Sequence, residues 1–300
     1  MEKEELKRWL KFCKVRGIGS SKVIKLLGIF GNFSHIYTAS NEELYRTRIF
    51  TLEMIELFNH AKEEDFVEDF VLQICERENI NIIPLYSLNY PANLKNLPDA
   101  PLTLYAKGNL DLLTTQKIAI VGSRESEHTA LKWALTNARD LVKENITVVS
   151  GGAKGIDYQA HSGALNLHGK TICVLGSGLL RLYPPEHRNL FKRIIDEGGL
   201  LLSEHPPTDR GGRLSLLRRN RIISGISDAI IIVTSKKSGG SRTQIEIARK
   251  QRIPIFVPNL SLDLRPNEGI AEAISEDSIT QIDSYKEVME VLKLNKNLSN

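Results

Sequence analysis

Ile146-Thr147-Val148-Val149-Ser150-Gly151-Gly152-Ala153-Lys154-Gly155-Ile156-Asp157 is the stretch whose reading decides the fold. Its first four residues are β-branched and mostly apolar, as in a buried strand, and residues 158–167 read as a helix. A strand that turns through glycines into a helix leaves backbone N–H groups without intrahelical partners, and the helix dipole adds partial positive charge there. Glycine lets an anion approach the backbone closely, and Lys154 adds a mobile cation. The loop therefore reads as a phosphate cradle built from Gly151, Gly152, Lys154 and Gly155. Asp157 stands where a helix cap is expected, so its expected role is structural, whereas Lys154 is expected to touch ligand.

The same grammar extends outward. Apolar runs at 80–85, 118–121, 146–149, 171–175, 200–203, 229–234 and 253–257 are mostly separated by helix-length segments. Continuous apolar strands alternating with helices indicate a mainly parallel sheet covered on both faces, a doubly wound α/β domain over residues 79–300. A helical piece at 284–294 ends this domain as a short tail. Residues 1–78 read instead as a small all-helical domain. In it Gly17-Ile18-Gly19 is either a helix-hairpin-helix (SAM-like) backbone contact or, preferentially, an ordinary interhelical turn.

Composition narrows the class. Three hundred residues with 41% hydrophobic content bury a sizeable core. The net charge of +4 is mild, but 176–252 holds 15 Lys/Arg against 7 Asp/Glu, a local +8, while 1–110 holds 14 against 15. Basic charge is thus concentrated on one part of the fold, which suits a polyanionic partner. Cys13, Cys75 and Cys173 lack metal-ligand or disulfide spacing, so no metal is expected and a reducing, cytoplasmic location is. No apolar run reaches the roughly 18 residues of a membrane helix, and the charged start lacks a signal-peptide core.

In open α/β sheets ligands gather at the carboxyl ends of the strands. Here those ends carry Gly122-Ser123-Arg124, the loop 150–157, Gly176-Ser177-Gly178 with the segment Tyr183 to Arg188, then Arg219-Asn220-Arg221, and finally Lys236-Lys237-Ser238-Gly239. Arginine grips phosphate with paired N–H bonds, serine and glycine offer further donors, and Tyr183 offers a ring on which a base can stack. One of the arginines is expected to pair with an acid such as Asp228. The lone Gly-x-Gly at 176–178 lacks the third glycine of a dinucleotide fingerprint, so no cofactor is expected.

Taken in order, Tyr90-Pro91, Gly122-Ser123-Arg124, 150–157, Tyr183-Pro184, Ser203-Glu204, Arg219 to Gly225, Ser238-Gly239 and Pro258 resemble the DprA/Smf family of DNA-processing proteins. The resemblance implies an extended Rossmann-like fold and a non-enzymatic, cytoplasmic, homodimeric protein. It implies that the protein binds and protects single-stranded DNA and loads a RecA-type recombinase in natural transformation. It places DNA contacts on Gly122, Ser123, Arg124, Gly151, Gly152, Lys154, Gly155, Tyr183, Arg188, Arg219, Asn220 and Arg221; charge alone adds Lys236 and Lys237, with Ser238 and Gly239 beside them. The chain departs from the family at Leu216-Leu217, where Phe-Pro is usual, and is short for a full C-terminal winged helix. A second resemblance runs through Gly239-Gly240-Ser241-Arg242-Thr243-Gln244-Ile245-Glu246, similar to the signature of cytokinin-activating phosphoribohydrolases. It implies a nucleoside-monophosphate hydrolase with Glu246 as catalytic carboxylate.

Overall fold

The computed structural model describes residues 2–63, 66–275 and 279–298. The chain divides into two compact units, Met1–Ala106 and Lys107–Asn300.

The first unit begins with six helices, Lys3–Cys13, Ser20–Phe30, Phe33–Thr38, Asn41–Arg46, Leu52–Glu63 and Phe66–Arg77. Their core is aromatic: Trp9 meets Phe33 edge-on at 5.0 Å and Phe12 meets Phe58 at 5.4 Å, all four rings buried. Such pairs add about 0.5–1.5 kcal/mol each beyond their buried area. Ser40 and Glu43 form a reciprocal capping box that starts the fourth helix. Gly17 to Gly19 is an interhelical turn, with Gly19 as the N-cap of the second helix. The unit does not stop near residue 78. Strand β1 (Asn81–Pro84) pairs antiparallel with β2 (Thr103–Gly108), and Trp9 Nε1 donates to Thr103 Oγ1 at 2.9 Å. Ser20 Oγ likewise donates to the Pro98 carbonyl at 2.8 Å, so the helices and the segment after them close one core.

The second unit holds β3 (Lys117–Val121), β4 (Thr147–Ser150), β5 (Thr171–Leu175), β6 (Leu200–Ser203), β7 (Ala229–Ile232), β8 (Ile255–Pro258) and β9 (Ile279–Ile282). They lie in the order β6-β5-β4-β3-β7-β8-β9, every pair parallel. Strands β3 to β8 are buried along their whole length. Alanines permit tight helix packing on the sheet: Ala130, Ala134 and Ala138 of helix His128–Lys143 join Ala160 and Ala164 of helix Ile156–Leu165 in one core. The last helix, Tyr285–Leu298, runs past the expected end at 294, and Val288 and Leu292 bind it to that core.

The chain winds from β3 to β6 toward one edge, then returns to lay β7 on the other side of β3. The crevice between the carboxyl ends of β3 and β7 is therefore the topological switch point, where sheets of this kind take ligand. Among the described residues no helix is long and apolar enough to cross a membrane. No cluster of His, Cys, Asp and Glu among them is arranged to hold a metal.

Candidate nucleic-acid interface

A cleft of about 990 Å³ opens at the switch point. Gly122, Ser123 and Arg124 after β3 form one wall, and Lys236 with 238–241 after β7 forms the next. Tyr183 and Ser177 reach it from the β5 side, and the segment 210–220 after β6 completes it. The β3 and β7 tails are tied together where they diverge: the Ser123 N–H donates to Thr234 Oγ1 at 3.0 Å, and Ser126 Oγ lies 3.0 Å from the same hydroxyl.

Of the residues expected at the site, Gly122, Ser123, Arg124, Tyr183, Arg219, Asn220, Lys236, Ser238 and Gly239 line the cleft. Gly151, Gly152, Lys154, Gly155, Arg188, Arg221 and Lys237 lie outside its lining. The loop 150–157 explains much of that division, because its anion-holding capacity is used internally. A Cβ on Gly151 would lie 2.1 Å from Arg219 Nη1, so this glycine makes room for a guanidinium. On Gly152 it would lie 2.8 Å from Phe191 and from Cys173 Sγ. Gly155, at φ +76°, backs onto the Ser123 and Arg124 carbonyls, 2.4 and 2.5 Å from where a Cβ would stand.

Asp157 is not the helix cap; Gly155 occupies that position, and no side chain caps it. The carboxylate of Asp157 instead folds back from the first turn to accept the Ala153 N–H at 3.3 Å, taking the place of an external anion. Burial holds its carboxyl above the usual range, against the opposing pull of the Arg219 charge. Lys154 also has a partner, Glu186 at 2.6 Å, and both side chains are exposed.

The three consecutive residues Arg219, Asn220 and Arg221 divide according to helical geometry. Arg219 is 5% exposed and donates through Nη1 to the Gly151 carbonyl at 2.6 Å and to the Val174 carbonyl. Asn220 donates to the Gly240 carbonyl at 3.2 Å and so links the middle of helix Arg213–Gly225 to the start of helix Gly240–Gln251. Arg221 turns away and grips Glu204 through two 2.7 Å bonds. Its partner is thus Glu204; Asp228 accepts the Lys117 N–H at 2.7 Å instead. Lys236 pairs with Glu125 at 2.8 Å and Lys237 with Glu272 at 3.2 Å.

Two cleft arginines escaped the sequence reading, Arg210 and Arg213. Their signal is Arg-Gly-Gly-Arg between a buried strand and a helix, the same device as at the other strand ends. Among the described residues, no side-chain hydrogen bond or ion pair engages Arg124, Arg210 or Arg213, and all three are exposed. Gly212 and Gly239 are the N-caps of helices Arg213–Gly225 and Gly240–Gln251, neither of which has a capping side chain or an acid in its first turn. The cleft thus combines unneutralised cations, uncapped helix starts and one half-exposed aromatic ring, Tyr183 at 49%. Glu246 lies outside its lining, 3.9 Å from Arg242 and largely exposed.

Comparison with known proteins matches residues 81–293 to the family model described as DNA recombination-mediator protein A. A Smf protein of Synechocystis is 32% identical over 91% of this chain and 69% of its own length. The DNA processing protein DprA of Bacillus subtilis is 34% identical over 74% of each chain. Among solved structures, DprA of Streptococcus pneumoniae superposes with a TM-score of 0.78 at 28% identity, covering 94% of this chain and 97% of that one. A DNA processing protein A of Helicobacter pylori, studied for its single-stranded DNA binding mode, superposes at 0.64 with 29% identity over 72% of this chain and 96% of that one.

Proposed function

The chain belongs to the DNA recombination-mediator protein A family, and from that premise we propose that it binds single-stranded DNA in the switch-point cleft. The observation that carries the proposal is the convergence of Arg124, Arg210 and Arg213, without partners among the described residues, on one cleft beside the half-exposed Tyr183. Arg124, Ser123 and the uncapped start of helix Gly240–Gln251 hold phosphates, and Tyr183 takes a base face. A duplex turns its bases inward and offers that ring nothing to stack on. Arg219 shapes the floor by fixing the loop at Gly151 rather than by meeting the strand directly.

Binding of this kind is driven by phosphates and depends little on sequence. The protein acts by holding DNA rather than by hydrolysing a nucleoside monophosphate, a reading supported by the position of Glu246 outside the cleft. Homodimerisation and delivery of the strand to a RecA-type recombinase complete the proposal, on the strength of family membership alone. The test is a gel shift of single-stranded against double-stranded DNA over a salt series, with Arg124→Ala as the variant. Single-strand preference is expected, with the variant's log–log salt slope smaller by about 0.7, the value of one phosphate contact on a single strand. Equal binding of duplex, or an unchanged slope in a folded variant, refutes the site.

A further inference from the structure

We infer that His187 is a positioning residue for Tyr183: it does not meet DNA itself but fixes the segment that holds the tyrosine ring in the cleft. The role rests on the stacking reading of Tyr183 given above. Tyr183 is half-exposed and lines the cleft, whereas His187, four residues further on, is buried and lies outside the lining.

The His187 ring is anchored to the loop 150–157 and the helix behind it. Its Nδ1 lies 2.9 Å from the Gly152 carbonyl oxygen. A carbonyl only accepts, so Nδ1 carries the proton and donates it. The ring also meets Tyr158, with centroids 4.8 Å apart, and Phe191 at 6.3 Å. Gly152 can offer its carbonyl at this spot because it stands at φ +70° and has no Cβ to collide with Phe191. A second tie between the same two segments, Lys154 to Glu186 at 2.6 Å, is exposed on both sides and holds them weakly. The buried His187 bond is the stronger anchor.

The link from this anchor to Tyr183 is short and stiff. Pro184 and Pro185 have their φ angles fixed by their rings. The His187 N–H donates to the Pro184 carbonyl at 3.1 Å and closes the 3-10 turn Pro185–His187. On the other side of Tyr183, Ser177 Oγ donates to the Arg181 carbonyl and the Arg181 N–H donates to the Gly178 carbonyl, both at 2.8 Å. A ring held between two fixed ends is preorganised for a base face and loses little freedom on binding. Releasing the His187 end frees the ring without removing it.

The test uses the full chain and two fluorescent oligomers of equal length, oligothymidylate and an abasic strand with the same phosphates, titrated by anisotropy at several salt concentrations. The readout is the ratio of the two affinities. His187→Phe keeps a ring of similar size and loses the donor; it is expected to lower the ratio at least about 5-fold, the lower bound for one stacked base, with the log–log salt slope unchanged. His187→Asn places an amide N–H where Nδ1–H stands and is expected to keep the parent's ratio. His187→Phe combined with Tyr183→Ala is expected to match Tyr183→Ala alone, because the two changes remove one interaction. An unchanged ratio in His187→Phe overturns the inference, and so does a salt slope that falls with the ratio, which marks general disruption of the cleft. A double variant whose ratio lies below that of Tyr183→Ala overturns it too. So does a folded His187→Asn that loses the ratio, whatever the phenylalanine variant does. The two readings fail differently. If the parent binds neither oligomer, the cleft's DNA-binding role falls and the positioning role with it. If Tyr183→Ala lowers the ratio and His187→Phe does not, only the positioning role is refuted.

Discussion

Replacing Arg219 by methionine separates a floor-shaping arginine from a DNA-gripping one. Methionine keeps much of the side-chain length and removes the charge and donors that hold the Gly151 and Val174 carbonyls. It also removes the positive charge that opposes the burial-driven rise in the pKa of the buried Asp157 carboxyl. Removing one partner of a buried charge pair costs about 3–5 kcal/mol. For a domain of this size each kcal/mol moves the melting midpoint by roughly 2–4 °C, so a fall of roughly 6–20 °C is expected. The effect carries a pH signature. Asp157 has a raised folded pKa, so its contribution is fully present below its unfolded pKa and drains away as pH rises through the folded value. Without Arg219 that folded value rises further, so the variant's deficit relative to the parent is larger at pH 8 than at pH 5. Asp157→Asn in the same chain removes the stranded charge, and the double variant is expected to recover about 0.5–3 kcal/mol relative to additivity. Urea titrations at the two pH values measure all of this. An Arg219→Met protein that melts with the parent yet fails to bind single-stranded DNA would refute the structural assignment and make Arg219 a ligand contact.

Two further outcomes follow from the loop 150–157. Gly155→Ala forces a Cβ against two backbone carbonyls at a positive φ, with an expected loss of roughly 2–4 kcal/mol in chemical denaturation and a displaced β3 tail that weakens DNA binding. Lys154→Ala removes an exposed ion pair outside the cleft, so neither the melting midpoint nor the salt slope of DNA binding is expected to change; a slope reduced as much as in Arg124→Ala would return Lys154 to the site.

Much of the fold was legible because parallel strands buried on both faces read as unbroken apolar runs. Strands β3 to β8 fall within two or three residues of those runs for that reason. Strand β9, Ile-Thr-Gln-Ile with its central residues exposed, lies at the sheet's edge and carries no such signal. Strand β2 was hidden because Thr103 to Gly108 is compositionally mixed and follows a proline-rich segment. The boundary expected near 78 marked where helices end, not where the first core ends, since Trp9 and Ser20 bond to residues 103 and 98. The site was legible as a set of strand-end loops. Which of its cations remain free was not, and the loop that looked most like a phosphate cradle holds a carboxylate of its own, that of Asp157.

What the sequence by itself determined is local: strands that turn through glycine into helices, with basic residues at the turns, must place backbone donors and positive charge along one edge of a parallel sheet. Charge neutralisation is a matter of contact, and contact is tertiary. Glu125 meets Lys236 across 111 positions of chain, and Arg219 reaches Gly151 across 68. Only the folded arrangement therefore decided that Lys154 and Arg221 are held by glutamates and that Arg219 is built into the floor, while Arg124, Arg210 and Arg213 line the cleft with no ion-pair partner among the described residues.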